Sequence, residues 1–179
     1  MIAIMFDDLE PFLQDFARRE LAFEPDEAVF RQGDKVRQMF FVTAGAVHLV
    51  RHQESGAPIV LQRAGPGAIL AEASLYSDIY HCDAVAVAKS ALWAVSKPAL
   101  LARMEQRPAL AAALIRRFAH ELQHARFHAE LLSMKTVAAR LDAWLGWHGA
   151  LPARGEWMRL SAELGVSPEA LYREIAKRR

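Results

Sequence analysis

Leu160-Ser161-Ala162-Glu163-Leu164-Gly165-Val166-Ser167-Pro168-Glu169-Ala170-Leu171-Tyr172-Arg173 reads as two short helices joined by a tight turn. Leu160, Leu164, Val166 and Leu171 fall where a helix-turn-helix buries apolar side chains between its helices. Gly165 stands where the turn needs a positive φ, which glycine adopts at little cost. Ser167 is placed to cap the second helix, Pro168 to occupy its first turn, and Glu169 to meet the positive end of its dipole. That helix then carries Arg173, Lys177, Arg178 and Arg179. A helix of this kind, laid in a DNA major groove, reads bases. The plainer alternative is a helical hairpin with a basic, solvated end.

Charge is distributed in the same sense. Residues 133–179 hold eight Lys/Arg and five Asp/Glu, a net of +3, whereas residues 1–132 hold fourteen and sixteen, a net of −2. The basic end of the chain is therefore the helix-turn-helix end, as a phosphate-facing surface requires. At 53% hydrophobic and 24% charged, the chain of 179 residues has a globular composition and room for a larger domain plus a small one. One cysteine, Cys82, excludes an internal disulfide and fits a reducing cytoplasm. The acidic start, with no basic region before it, reads as no secretory leader, and no apolar run is long enough for a bilayer.

Upstream, the pattern changes. Residues 12–19 read as the end of a short helix. Apolar runs of strand length follow, punctuated by Gln32-Gly33-Asp34, Ala44-Gly45, Glu54-Ser55-Gly56 and Ala64-Gly65-Pro66-Gly67. Phe41, Thr43, Val47, Leu49 and Arg51 alternate in part, and residues 84–94 have room for two more strands. Regular short strands imply a small antiparallel barrel or sandwich. A helical half begins at Pro98. After a break at Arg107-Pro108, a long helical pattern runs to about Leu132. Ala111, Ile115, Phe118, Leu122, Ala125, Ala129 and Leu132 step alternately by four and three, the heptad spacing that keeps one apolar seam toward a partner helix. A homodimer seam is the reading favoured here over packing on the chain's own barrel.

Barrel, long helix and helix-turn-helix, in that order, resemble the CRP/FNR family of bacterial transcription regulators. Phe30-Arg31-Gln32-Gly33-Asp34 resembles the family's early strand and turn, Phe40-Phe41-Val42-Thr43-Ala44-Gly45-Ala46-Val47 its central hairpin, and Gly65-Pro66-Gly67-Ala68-Ile69-Leu70-Ala71-Glu72 the lead-in to its phosphate-binding cassette. The resemblance implies an α+β fold: a jelly-roll, cyclic-nucleotide-binding-like barrel over 1–106, a long dimerisation helix over 107–133, and a helix-turn-helix domain over 134–179. Relatives usually continue into a β-hairpin wing. This chain stops at Arg179, so a wingless or shortened member is expected.

The same resemblance assigns Glu169 and Arg173 to the main base-reading positions and Ser167 to a phosphate contact, with Lys177 and Arg178 further along the helix. Pro168 stands where some members place another basic reader, and cannot act as one. Arg173 is suited to a bidentate fork on guanine and Glu169 to accept from cytosine.

The sensor region departs from the nucleotide-binding pattern. Binders of cyclic nucleotides carry a Gly-Glu followed downstream by an Arg-Ser; here Glu72 is kept, Ala71 replaces the glycine, and Cys82-Asp83 stand in place of Arg-Ser, with His81 before them. An aspartate facing a phosphodiester repels it, and no arginine compensates nearby in sequence. Tight binding of cAMP or cGMP is not expected, and the effector is left unidentified. Haem-binding relatives use His and Cys in this part of the barrel, which makes His81 and Cys82 candidate sensor residues. The simpler reading makes Cys82 a small buried hydrophobe on an alternating strand. A single cysteine does not furnish an iron–sulfur cluster of the kind other members carry.

His120, His124 and His128 form a helical stripe roughly opposite the seam, a polar face in preference to a metal site. No catalytic motif is present, and the chain is not expected to be an enzyme. The expected partners are an operator in double-stranded DNA, a second copy of the chain, a small effector and, as a further candidate, RNA polymerase, all in the cytoplasm and without a membrane. The alternative is a sensor or protein-interaction module that no longer binds DNA.

Overall fold

The computed structural model describes residues 19–53 and 58–178. Strands are β1 (Arg19–Phe23), β2 (Ala28–Phe30), β3 (Gln38–Ala44), β4 (Val47–His52), β5 (Pro58–Ala64), β6 (Ile69–Leu70), β7 (Asp83–Ala86) and β8 (Ser90–Ser96). Helices are α1 (Lys97–Gln106), α2 (Pro108–Ser133), α3 (Val137–His148), α4 (Trp157–Glu163) and α5 (Pro168–Lys177). The helix expected over residues 12–19 lies outside the described residues, except that Arg19 opens β1 instead of closing a helix.

The strands form two four-stranded antiparallel sheets, ordered β1-β8-β3-β6 and β2-β7-β4-β5. Neighbours are mostly remote in sequence, as in a jelly roll. In β4, Val47 and Leu49 are buried between flanking residues that are less so, the pattern of a strand with one face inward. β3 breaks that pattern, with Met39, Phe40, Phe41 and Val42 all buried. The reason is that one apolar cluster joins these residues to Leu100 of α1 and to Leu110, Ala113 and Leu114 of α2, so the strand is covered on both faces. Gly45 turns β3 into β4 at φ 83, and a side chain there would collide with Ser90 and the Lys89 carbonyl. Ser90 occupies that space instead, bonded to both the amide and the carbonyl of Ala46.

The chain divides into two compact units, Met1–Phe118 and Ala119–Arg179, with the division inside α2. The second unit has its own core: Leu131 of α2, Leu141 and Trp144 of α3, Trp157 and Leu160 of α4, Leu164, and Leu171 and Ile175 of α5. Among the described residues no helix is long and apolar enough to cross a membrane.

Candidate functional site

The helix-turn-helix is built by its local chemistry. The Ser167 hydroxyl accepts from the Ala170 amide and caps α5, and Pro168 fills the first turn, where a missing N–H costs nothing. Gly165 takes φ 62. A Cβ on Gly165 would lie 2.6 Å from Leu132 Cδ2 and 3.2 Å from Arg140 Nη1, so the turn demands glycine for space as well as for conformation. Leu171 and Ile175 bury one side of α5. Glu169, Tyr172, Arg173, Ala176 and Lys177 are exposed on the other. Glu169, Arg173 and Lys177 follow at intervals of four and share one stripe.

Around that stripe the side chains differ in freedom. Hydrogen bonds from its own backbone amide and from the Ser167 hydroxyl hold the Glu169 carboxyl below the usual carboxylate range. Ser167 is thus engaged in the cap while remaining exposed. The exposed Lys177 approaches Glu174 only at 4.0 Å, the outer limit of an ion pair. Arg178, placed with the readers by sequence, turns back instead. Its guanidinium bonds Glu174 at 2.9 Å, Asp142 of α3, and the Ala138 carbonyl at 3.1 Å, so it anchors the end of α5 to α3. Those carboxylates hold its pKa above the ordinary arginine value. The Tyr172 ring packs 5.4 Å from Trp157.

Two residues that sequence reasoning passed over hold this unit together. Arg140 of α3 donates to four carbonyls: Leu132 and Met134 at the end of α2, and Leu164 and Gly165 in the turn. Glu163, at the end of α4, accepts from the Trp144 indole at 3.1 Å, and its carbonyl meets His128 Nε2 at 2.9 Å. No sequence motif announces either. The histidine stripe is accordingly a packing face. His120 and His124 meet edge to face at 4.8 Å, and His124 sits 6.0 Å from Trp147, itself stacked on Phe127.

The expected seam of α2 divides. Ile115 is 64% exposed, Leu122 50% and Leu132 44%, and Ala125 and Ala129 are exposed too. Phe118, half-buried, packs against the barrel core as well.

In the barrel, Ala71 takes φ 69 and ψ 17 at the start of a short 3₁₀ turn, Glu72–Ser74. Alanine holds this left-handed backbone at a cost of about 1–2 kcal/mol. Cys82 is buried just before β7. Burial foremost pushes its thiol up; Arg51 opposes this, and Glu72 and Asp83 add to it. Asp83 is not a bare carboxylate facing a ligand: it accepts from the Gln32 amide at 2.7 Å and pairs with His52 Nδ1 at 3.3 Å. An arginine absent nearby in sequence is present in space, since Arg51 of β4 donates to the His81 carbonyl at 3.2 Å. His81 itself meets the Ser77 hydroxyl through Nε2 at 3.1 Å. The structure thus gathers Arg51, Glu72 and Asp83 within electrostatic reach of Cys82. Among the described residues no three His, Cys, Asp or Glu side chains are grouped to hold a metal ion.

The family model described as "Cyclic nucleotide-binding domain" matches residues 20–107. The cyclic AMP receptor protein of Thermus thermophilus is 29% identical over 136 residues, which span 75% of this chain and 62% of that protein's length. The crystal structure of Thermus thermophilus catabolite activator protein superposes with a TM-score of 0.58 at 27% identity, covering 96% of this chain and 82% of that one. FixK2 from Bradyrhizobium japonicum shares the fold, with a TM-score of 0.71 at 21% identity over 90% of this chain and 84% of its own. The chain therefore carries a cyclic nucleotide-binding domain over residues 20–107 and is similar along most of its length to the receptor and activator proteins of Thermus thermophilus.

Proposed function

We propose that this protein is a homodimeric transcription regulator whose α5 enters the major groove of an operator in double-stranded DNA. The observation that carries the reading is the exposed stripe of Glu169, Arg173 and Lys177 on a helix whose other face is buried and whose end is capped. In this arrangement Arg173 reads guanine, Glu169 accepts from cytosine, and Lys177 faces phosphate. Arg178 serves indirectly, by fixing α5 on α3. The apolar residues left exposed along α2, Ile115, Leu122, Ala125, Ala129 and Leu132, pair with those of a second copy. Two recognition helices so paired match a two-fold-related site. The proposed setting is the cytoplasm of a bacterium, with RNA polymerase as a further partner and no enzymatic step.

The domain roles follow: a barrel over 1–106 that senses, a helix over 107–133 that pairs and transmits, and a reading domain over 134–179. The signal acts by shifting the population between dimer geometries. Its effector is not a cyclic nucleotide held in the family's manner. Residue 82 offers a thiol whose pKa burial raises where those binders place a guanidinium, and the guanidinium of Arg51, which acts on that thiol electrostatically, is engaged with the His81 carbonyl.

Fluorescence anisotropy with duplex DNA from upstream of the protein's own gene tests the reading. Binding is expected to weaken steeply with salt. Arg173→Ala is expected to cost about 1–3 kcal/mol and to relax base preference. A loss equal for all sequences would reduce Arg173 to a phosphate contact. No binding at low salt would favour a sensor or interaction module in place of a DNA-binding regulator.

A further inference from the structure

We infer that Arg140 is a positioning residue that fixes the recognition helix relative to the end of the paired α2 helices, and so sets which spacing between operator half-sites the dimer accepts. The inference rests on the proposed function, and its geometry lies wholly within the Ala119–Arg179 unit.

The last turn of a helix leaves carbonyls without partners, and a cation there also meets the negative end of the dipole. Here two helices end beside each other, α2 at Ser133 and α4 at Glu163. One guanidinium serves both. Nη2 donates to the Leu132 carbonyl at 3.1 Å and Nε to Met134 at 3.0 Å. Nη1 donates to Leu164 at 2.8 Å and to Gly165 at 3.0 Å. Four of the five N–H donors of a rigid planar group are used, on two segments at once. A lysine ammonium, a single point on a flexible stem, does not reproduce that fork.

The side-chain contact runs the same way. Leu132, the last heptad position of the exposed seam, lies against Gly165, with no space for a Cβ between them. The seam therefore ends on the turn that opens the recognition helix. Arg140 clamps the backbone of both, and Ser167 begins α5 two residues after Gly165. A rotation of α2 about the dimer axis is carried to α5 through this clamp, not through the side chains that read bases.

The test uses the full chain and inverted repeats built from the half-site that selection from random duplex DNA returns. The centre-to-centre distance is varied over one helical turn of about 10.5 base pairs. The wild-type protein is expected to prefer one spacing sharply. In Arg140→Ala the preference for that spacing over one shifted by half a turn should fall roughly tenfold, within the range by which coupling residues act. Base preference within a half-site and the dimer mass should stay unchanged. Ile175→Val, which loosens the core that seats α5, serves as a control: it should lower affinity at every spacing alike and keep the optimum. If Arg140→Ala does not keep the tryptophan fluorescence of the folded unit, Arg140→Lys carries the same comparison. A folded Arg140 variant that retains the sharp optimum would overturn the inference and leave the proposed function standing. A wild-type protein that binds no inverted repeat at any spacing would remove both.

Discussion

Leu132 and Gly165 meet so closely that residue 165 has no room for a side chain: a Cβ there would stand 2.6 Å from Leu132 Cδ2. The backbone adds a second constraint, because φ is 62. Gly165→Ala is expected to destabilise the protein by about 2–4 kcal/mol, the sum of left-handed strain and a close contact that only a shift of Leu132 relieves. Thermal unfolding measures it. A cost under about 1 kcal/mol would mean that Leu132 moves aside freely and that the contact transmits nothing.

The exposed seam is a separate matter from the barrel-facing side of the same helix. Replacing both Ile115 and Leu122 with aspartate should yield a folded monomer by light scattering, with helicity retained by circular dichroism. On the proposed reading, DNA affinity should fall with it, since the two half-sites are then no longer engaged by one linked pair of helices. Phe118 is a poor choice for this experiment, because its ring also packs on the barrel core. A dimer that survives both aspartates would place the interface elsewhere.

His124 makes stability depend on pH. Burial first, then His120, holds its imidazole below the ordinary value of 6.5, with His148 of α3 acting in the same sense and Glu121 and Glu163 opposing. The folded state therefore binds fewer protons than the unfolded chain in this range. The contribution is complete above the unfolded pKa and is lost as pH falls through the depressed folded one. His48, lowered by burial and by Arg63, adds in the same direction. Denaturant titrations between about pH 7.5 and 5.5 should show stability falling with pH, and His124→Gln should flatten that slope. An unaltered slope in the variant would assign the dependence to other groups.

Cys82 should behave as an inert thiol. Its burial raises the pKa, and only the thiolate attacks disulfides or alkylating agents. Reaction with a disulfide reagent at neutral pH should be at least about tenfold slower in the native protein than in denaturant. A native rate equal to the denatured one would instead make Cys82 a reactive thiol.

What could be read in the sequence was local. The turn, cap and first-turn proline of α5 are signals carried by Gly165, Ser167 and Pro168 themselves, because their effect is on neighbouring backbone. The break before α2 is likewise written in Arg107-Pro108. Contacts made across the fold were not legible. Arg178 looks like one more cation at the end of a basic helix until Asp142, thirty-six residues away, is found beside it. Arg51 and His81 stand thirty residues apart and meet only because β4 pairs with β7. Arg140 has no motif, since its partners are all main-chain carbonyls and carry no residue signature. Phe118 fits a heptad by spacing, but spacing does not say which of two apolar surfaces claims a residue between them. Alternation failed in β3 for a related reason, a strand covered on both faces having no polar side to reveal its period.

Ala71 holds a backbone conformation that alanine does not choose, so its neighbours impose it. The shape of this loop is then a property of the surrounding barrel and not of residue 71. Backbone form at residue 71 and side-chain chemistry at positions 81–83 are thus set by different means, the one by surrounding packing and the other by which residues stand there.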